Sequence, residues 1–376
     1  LEEYSGKGEV VTVYLCLLIW VSVLWAVTRC GRIYVYSRTA KCHFRTNLFL
    51  VSAFFSAFLL MGIRGDTVGK DTAVYKGYFL GVSQLKWKTF FSGGWDKQFC
   101  TTEKGFMIFE KILSYFTQNG QWLLIMCAVI YMCCIYCFVK QFHVHLLTAF
   151  VSFLCVGSYL PAMNVMRQAV AVGMCCMAWI HLQKKHNRKA ILWILAACTF
   201  HRSSIIFFVT MLLKKIPANK KNFLLAAIAT VAFSIGGRGI VYWVITFIPV
   251  YAGRYGRGRW EITSANGILI LWFIIAMVIV ELAFTTDWKN RENHIIFEVM
   301  LCGMAYLGIN ILGQSFDGFD RLSIFFQPFL ILLFEYGGKC FEHRISRMYY
   351  TGVAVSMMML FLRLSSTEQY QYIPFW

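Results

Sequence analysis

Long apolar runs separated by short polar intervals fill the chain at about 10–28, 47–62, 122–139, 146–160, 162–181, 190–213, 222–235, 264–284, 295–313, 322–338 and 348–364. A helix needs roughly 20 largely apolar residues to cross the ~30 Å hydrocarbon core of a bilayer. The pattern therefore predicts an all-α, polytopic integral membrane protein with about 10–13 transmembrane or re-entrant helices. Residues 63–121 form the longest polar interval, yet Tyr75, Tyr78, Phe79, Trp87, Phe90, Phe91 and Trp95 are interleaved with its charges. Aromatic side chains of this kind favour membrane interfaces, so the interval reads as an external amphipathic segment of short helices.

The intervals also carry an orientation. Arg29, Arg32, Arg38, Lys41 and Arg45 follow the first run with no acid among them, which places that loop on the cytoplasmic side and the N-terminus outside. The first run lacks a small-residue cleavage site and is expected to remain as a span. Further on, a second external segment is expected at 236–263, rich in Gly and Arg. The run at 190–213 lies between two basic clusters, Lys184–Lys189 and Lys214–Lys215, that both read as cytoplasmic. A re-entrant hairpin with His201 and Arg202 at its tip satisfies both; one 24-residue span carrying a His is the alternative. Arms of about eleven residues would rise roughly 16 Å, putting the tip near mid-membrane.

Composition supports the same class. The chain has 376 residues, of which 59% are hydrophobic and 14% charged, whereas soluble domains carry roughly a quarter charged residues. It reads as a single membrane-embedded domain, 1–376. A net charge of +18 would suggest nucleic acid in a soluble protein. Here positive inner loops account for it, and no nucleic-acid partner is expected. The fourteen cysteines sit mostly in apolar runs. Cys134-x-x-Cys137 has redox spacing but no basic activator beside it, so it reads as packing.

Six polar groups could carry chemistry, each with a plain structural alternative. Arg64-Gly65-Asp66, with Asp71 and Tyr75, follows the second run and is either an interfacial loop or a cleft lining. Glu103-Lys104-Gly105-Phe106 precedes an apolar helix start, where Glu is ordinarily a dipole partner. Arg167 and Gln168 fall inside a run, where an unpaired Arg is costly unless it meets protein, water or an anion. His201 stands with Arg202, Ser203 and Ser204, and a histidine can serve as a base near neutral pH. Arg254, Arg257 and Arg259 form an Arg-rich loop suited to phosphate oxygens or lipid headgroups. Asp317, Asp320 and Arg321 could pair with one another. No P-loop or dinucleotide fingerprint is present. Scattered histidines and unspaced acids predict neither a metal site nor a cofactor.

Taken in order, Arg64…Asp71…Tyr75, Glu103-x-Gly105-Phe106, Met166-Arg167-Gln168, Phe200-His201-x-Ser203-Ser204, and Arg321 before Phe325, Phe326 and Pro328 resemble the EpsG family of Wzy-like exopolysaccharide and O-antigen polymerases, over roughly residues 50–335. Lys104 departs from the Pro that relatives often carry there. The resemblance implies a GT-C-like, metal-independent glycosyltransferase at the outer face of the bacterial inner membrane. Such an enzyme joins undecaprenyl-diphosphate-linked oligosaccharide units, one as donor and one as acceptor, with inversion expected from a single displacement. It implies lipid and a chain-length regulator as further partners. On this reading Arg64, Arg167, Gln168, Arg254, Arg321 and Tyr75 bind substrate, and His201, Asp71 or Glu103 is the base. A membrane O-acyltransferase of surface glycans and a lipid-linked oligosaccharide flippase are the competing classes.

Overall fold

The computed structural model describes residues 2–30, 38–91, 103–142, 146–156, 158–246, 266–290, 293–314, 319–339, 341, 343–367, 370 and 372–374. Among these every regular element is helical. Four helical stretches among the described residues, Gln121–Gln141, Ile268–Thr285, His294–Gly313 and Arg344–Ser365, are long and apolar enough to cross a membrane, and shorter apolar helices accompany them. The protein is thus an all-α polytopic membrane protein. The chain groups into two compact units, Leu1–Ile205 with Met357–Trp376, and Ile206–Ser356.

The first unit contains α1 (Glu2–Cys30), α2 (Arg38–Gly62), α3 (Thr72–Gln84), α4 (Trp87–Phe91), α5 (Lys104–Leu113), α6 (Gln121–Gln141), α7 (Leu146–Cys155), α8 (Tyr159–Asn164), α9 (Met166–Gln183) and α10 (Asn187–Phe200). The interval 63–121 does form short helices, and they pack inward: α3 lies on α5 and α6, and α5 lies on α10. Pro161, which follows the fourth apolar run, sits in the first turn of α8, where its missing N–H has no intrahelical acceptor to lose. The helical path then breaks at Val165 and restarts at Met166. Arg167 is consequently the second residue of a helix rather than a residue inside an unbroken span.

Helices α9 and α10 run antiparallel through a tight turn in which Lys185 adopts φ 60°. Gly173 lets α9 approach α6 closely, since a β-carbon there would stand 3.0 Å from Cys134 Cβ. Cys134 of the Cys-x-x-Cys pattern is therefore a packing residue. The predicted break at His201 is present, with an extended backbone (φ −154°, ψ 113°). The first arm has 14 residues rather than about eleven, a rise of roughly 21 Å. That length returns His201 to the level of Arg167 at the start of α9.

The C-terminal segment belongs to this unit. Gly65 N–H donates to Ile373 O at 2.6 Å, Tyr372 Oη donates to Leu60 O, and Tyr14 Oη donates to Tyr370 O. A β-carbon on Gly65 would stand 2.8 Å from Ile373 O. Only glycine lets the tail pass so close over the end of α2.

The second unit holds the end of a 3-10 segment (Arg202–Phe208), α11 (Val209–Leu213), α12 (Lys220–Thr246), α13 (Asn266–Thr285), α14 (His294–Gly313), a second 3-10 segment (Asp320–Phe325), α15 (Pro328–Lys339) and the first part of α16 (His343–Ser365). Gly236-Gly237-Arg238-Gly239, expected to leave the membrane as a loop, continue α12 as helix. Gly237 explains this locally: a β-carbon would meet Phe233 Cδ2 at 3.1 Å and Leu312 Cδ2 at 3.2 Å, so the absence of a side chain lets α12 pack on α14. The run at 322–338 is divided by Phe326 and Gln327. Pro328 opens α15 at the first helical position, where proline is favoured.

Candidate functional site

Glu103 occupies the N-cap position of α5, the place where a carboxylate ordinarily binds its own helix. Its side chain makes no capping bond. It crosses instead to two other elements. Oε2 is ion-paired with the Arg167 guanidinium on α9. Oε1 accepts the Arg202 backbone N–H at 3.2 Å and lies 3.5 Å from His201 Nδ1. The carboxylate keeps 9% of its side-chain surface exposed, against 18% for Arg167 and 24% for His201. A buried anion thus holds two basic groups that both reach open space.

The Glu-x-Gly-Phe element explains this geometry residue by residue. Lys104 is the first residue of α5, a position where proline is equally at home, so the turn survives the departure from the family pattern. A β-carbon on Gly105 would collide with Thr199 near the end of α10. Its absence brings the two helices close enough for Glu103 to reach His201. Phe106 is buried and lies edge-on to both Tyr75 and Phe200.

Aromatic rings line the guanidinium. The Arg167 carbon Cζ is 5.7 Å from the centre of the Tyr75 ring and 6.0 Å from that of Phe106. Attraction between cation and ring face supports an arginine that water reaches from one side only. The Tyr75 hydroxyl is also in hydrogen-bonding reach of Arg167, and burial raises its pKa. Asp71 precedes α3 and stays half-buried near Tyr75; its backbone N–H donates to Asn164 Oδ1 at 3.2 Å.

Arg64 holds another place in the first unit. Arg64 is fully buried. It donates to Met61 O and, at 3.1 Å, to Met163 O, so it ties the end of α2 to α8. Burial lowers its pKa to about 10, which leaves it charged at neutral pH. Gln168 is buried, about 100° round the helix from Arg167. Arg202 reaches Glu103 through its backbone while its side chain is exposed. Arg321 belongs to the second unit, where it is exposed on the 3-10 segment after Phe319. Arg254, Arg257, Arg259 and Asp317 lie outside the described residues. Among those described, no three His, Cys, Asp or Glu side chains are placed to hold a metal ion.

One residue near the site escaped the sequence reading. Glu110 lies seven positions after Glu103, on the same face of α5, and is completely buried. Neither of its carboxyl oxygens has a hydrogen-bond partner. Burial raises its pKa to about 8, against the pull of Arg167. The available signal was the spacing: a carboxyl in line with Phe106 on an otherwise apolar helical face.

Comparison with known proteins gives a match to a family model. Residues 47–375 match the EpsG family, a stretch that takes in Glu103, Arg167, His201 and the tail segment over Gly65. No curated protein and no solved structure matches the chain.

Proposed function

The chain belongs to the EpsG family, and from that premise we propose that it is a membrane glycosyltransferase that polymerises lipid-diphosphate-linked oligosaccharide units into a surface polysaccharide. The observation that carries this reading is the placement of Arg167 and His201 on opposite oxygens of one buried carboxylate.

The chemistry follows from that arrangement. An acceptor hydroxyl attacks the anomeric carbon of the donor. The bond from that carbon to the diphosphate oxygen breaks, and the diphosphate leaves with the electron pair. Negative charge grows on the leaving group, so a guanidinium fixed beforehand stabilises the transition state without reorganising. Arg167 is that group, steadied by Tyr75 and Phe106. The acceptor's proton goes to His201. With Nδ1 turned to Glu103, Nε2 is the nitrogen assigned to the hydroxyl, and the carboxylate orients the ring and stabilises the imidazolium. A single displacement of this kind inverts the anomeric configuration.

Undecaprenyl diphosphate is the lipid this reading assigns to donor and acceptor, with the site open to the outer side of the bacterial inner membrane. Arg254 and Arg321 are the further cations proposed for the diphosphate, and Asp71 is the alternative base.

The test is deletion of the gene with electrophoresis of the surface glycan. Single repeat units capped on lipid, with no long chains, support the polymerase. Normal chain lengths lacking acyl groups would replace it with an O-acyltransferase. Lipid-linked units trapped on the cytoplasmic side would replace it with a flippase.

A further inference from the structure

An ionised carboxylate buried without hydrogen bonds is among the costliest groups in a protein. Glu110 is such a carboxyl, and its surroundings explain how it is tolerated. Its helix packs Phe106 into an apolar core with Tyr75, Phe79, Leu123, Cys127 and Met166. The groups that face Glu110 are few. From α6 comes the Cys127 thiol and from α9 the Arg167 guanidinium, while the Tyr75 phenol of α3 is turned to Arg167. From the end of α10 comes Phe200, followed by His201, which is turned to Glu103. On its own helix, Lys111 is drawn away to Ser83 O at 2.7 Å, and Glu103 is ion-paired with Arg167. Arg167 is therefore the cation in electrostatic reach of Glu110, and a second carboxyl, Glu103, already holds it.

Charge counting then decides what each state of Glu110 does. With Glu110 neutral, Arg167 and Glu103 balance, and an entering anion can take Glu103's place on the guanidinium. With Glu110 ionised, two carboxylates share one guanidinium. The cluster becomes net negative and repels an anion. We propose that Glu110 is a positioning residue for Arg167: as a neutral acid it leaves the guanidinium turned toward Glu103 and the open side, and on ionisation it draws the guanidinium inward and closes the site to anions. This rests on the reading of Arg167 as the diphosphate contact.

The test uses the full-length protein in lipid nanodiscs with Glu110→Gln, a neutral isostere, and Glu110→Met as an apolar second variant should the amide not be accommodated. Extension of a lipid-linked oligosaccharide is followed across pH. Wild-type activity should decline about tenfold per pH unit on its alkaline side, and both variants should carry that decline to higher pH by about one unit or more. A parallel thermal titration needs no turnover. A carboxyl whose folded pKa is raised stabilises the fold fully below its unfolded pKa of 4.5 and loses that contribution as pH rises toward about 8. Wild type should therefore weaken relative to Glu110→Gln across that window. An unchanged alkaline limb, or a loss of activity equal at every pH, overturns the proposal. Absence of turnover in wild type, with the thermal difference intact, would count against the polymerase reading instead.

Discussion

Arg167 and Glu103, 64 positions apart in sequence, form an ion pair at the beginnings of two different helices. Arg167 is the second residue of α9, and Glu103 immediately precedes α5. The backbone N–H that completes the carboxylate's shell, from Arg202, opens a 3-10 segment. Helix starts present unpaired N–H groups and partial positive charge, so this corner of the fold favours anions even before Arg167 is counted. Glu103 is the anion that meets these groups.

Removing either partner should therefore cost more in rate than in fold. On the proposed mechanism Arg167→Ala takes away the charge that meets the leaving group, and losses of about 100- to 1,000-fold in kcat are expected, as for a fixed transition-state donor. Glu103→Gln should lose activity as well, since the amide neither orients His201 nor balances Arg167. Both proteins should still reach the membrane. Chain-length profiles of the surface glycan, with immunoblots of the membrane fraction, check this. Normal long chains from Arg167→Ala would remove it from the site.

The sequence made the helical class legible because apolar run length alone sets it. It also singled out Arg167 and His201, since a charge in an apolar run needs a partner, and Glu103, as an acid ahead of a helix start. It could not supply the partner: their meeting depends on the tight turn at Lys185 and on the 14-residue length of α10, which no local pattern encodes. Arg64 misled for a related reason. A cation at the end of a span reads the same whether it faces a cleft or, as here, a pair of main-chain carbonyls. Glu110 was hidden because an acid on an amphipathic helix is normally solvated.

His201 is expected to act through its proton and not through its bulk. His201→Asn preserves size and a polar edge but cannot accept the acceptor's proton, so kcat should fall by about 100- to 10,000-fold, the usual worth of a positioned base. KM for the lipid-linked donor should hold nearly constant, since Arg167 and Tyr75 remain. Steady-state kinetics on purified enzyme separate the two. A rise in KM with kcat intact would move His201 from proton transfer to binding.

Arg64 should behave in the opposite way. Its guanidinium satisfies Met61 O and Met163 O inside the protein. Arg64→Ala takes this donor from both carbonyls and leaves Met163 O only the 3.5 Å bond from Thr72 Oγ1, at about 1–3 kcal/mol for a buried group left unpaired, and it opens a void beside Leu124 and Met166. The expected result is a lower Tm and less protein in the membrane. The protein that does fold should keep its kcat. A folded, stable Arg64→Ala enzyme with a raised KM would restore Arg64 as a substrate contact.

Gly105 gives the sharpest test of how the site is assembled. Two effects compete in Gly105→Ala. Alanine favours the helix over glycine by about 1 kcal/mol. Against that, the new methyl would meet the Thr199 side chain and would stand 2.7 Å from the Thr199 carbonyl oxygen. A backbone oxygen cannot rotate aside, so overpacking, worth about 1–3 kcal/mol, should win. Helix α5 would then move off α10, and the 3.5 Å approach of Glu103 to His201 would open with it. Activity should fall along with Tm, though no reacting group has changed. Thr199→Ala should not rescue the variant, because the β-carbon and the carbonyl both remain in the way. Thr199→Gly should recover part of the loss by removing the side-chain half of the clash. A Gly105→Ala protein more stable than wild type and fully active would show that α5 does not need this close contact to present Glu103.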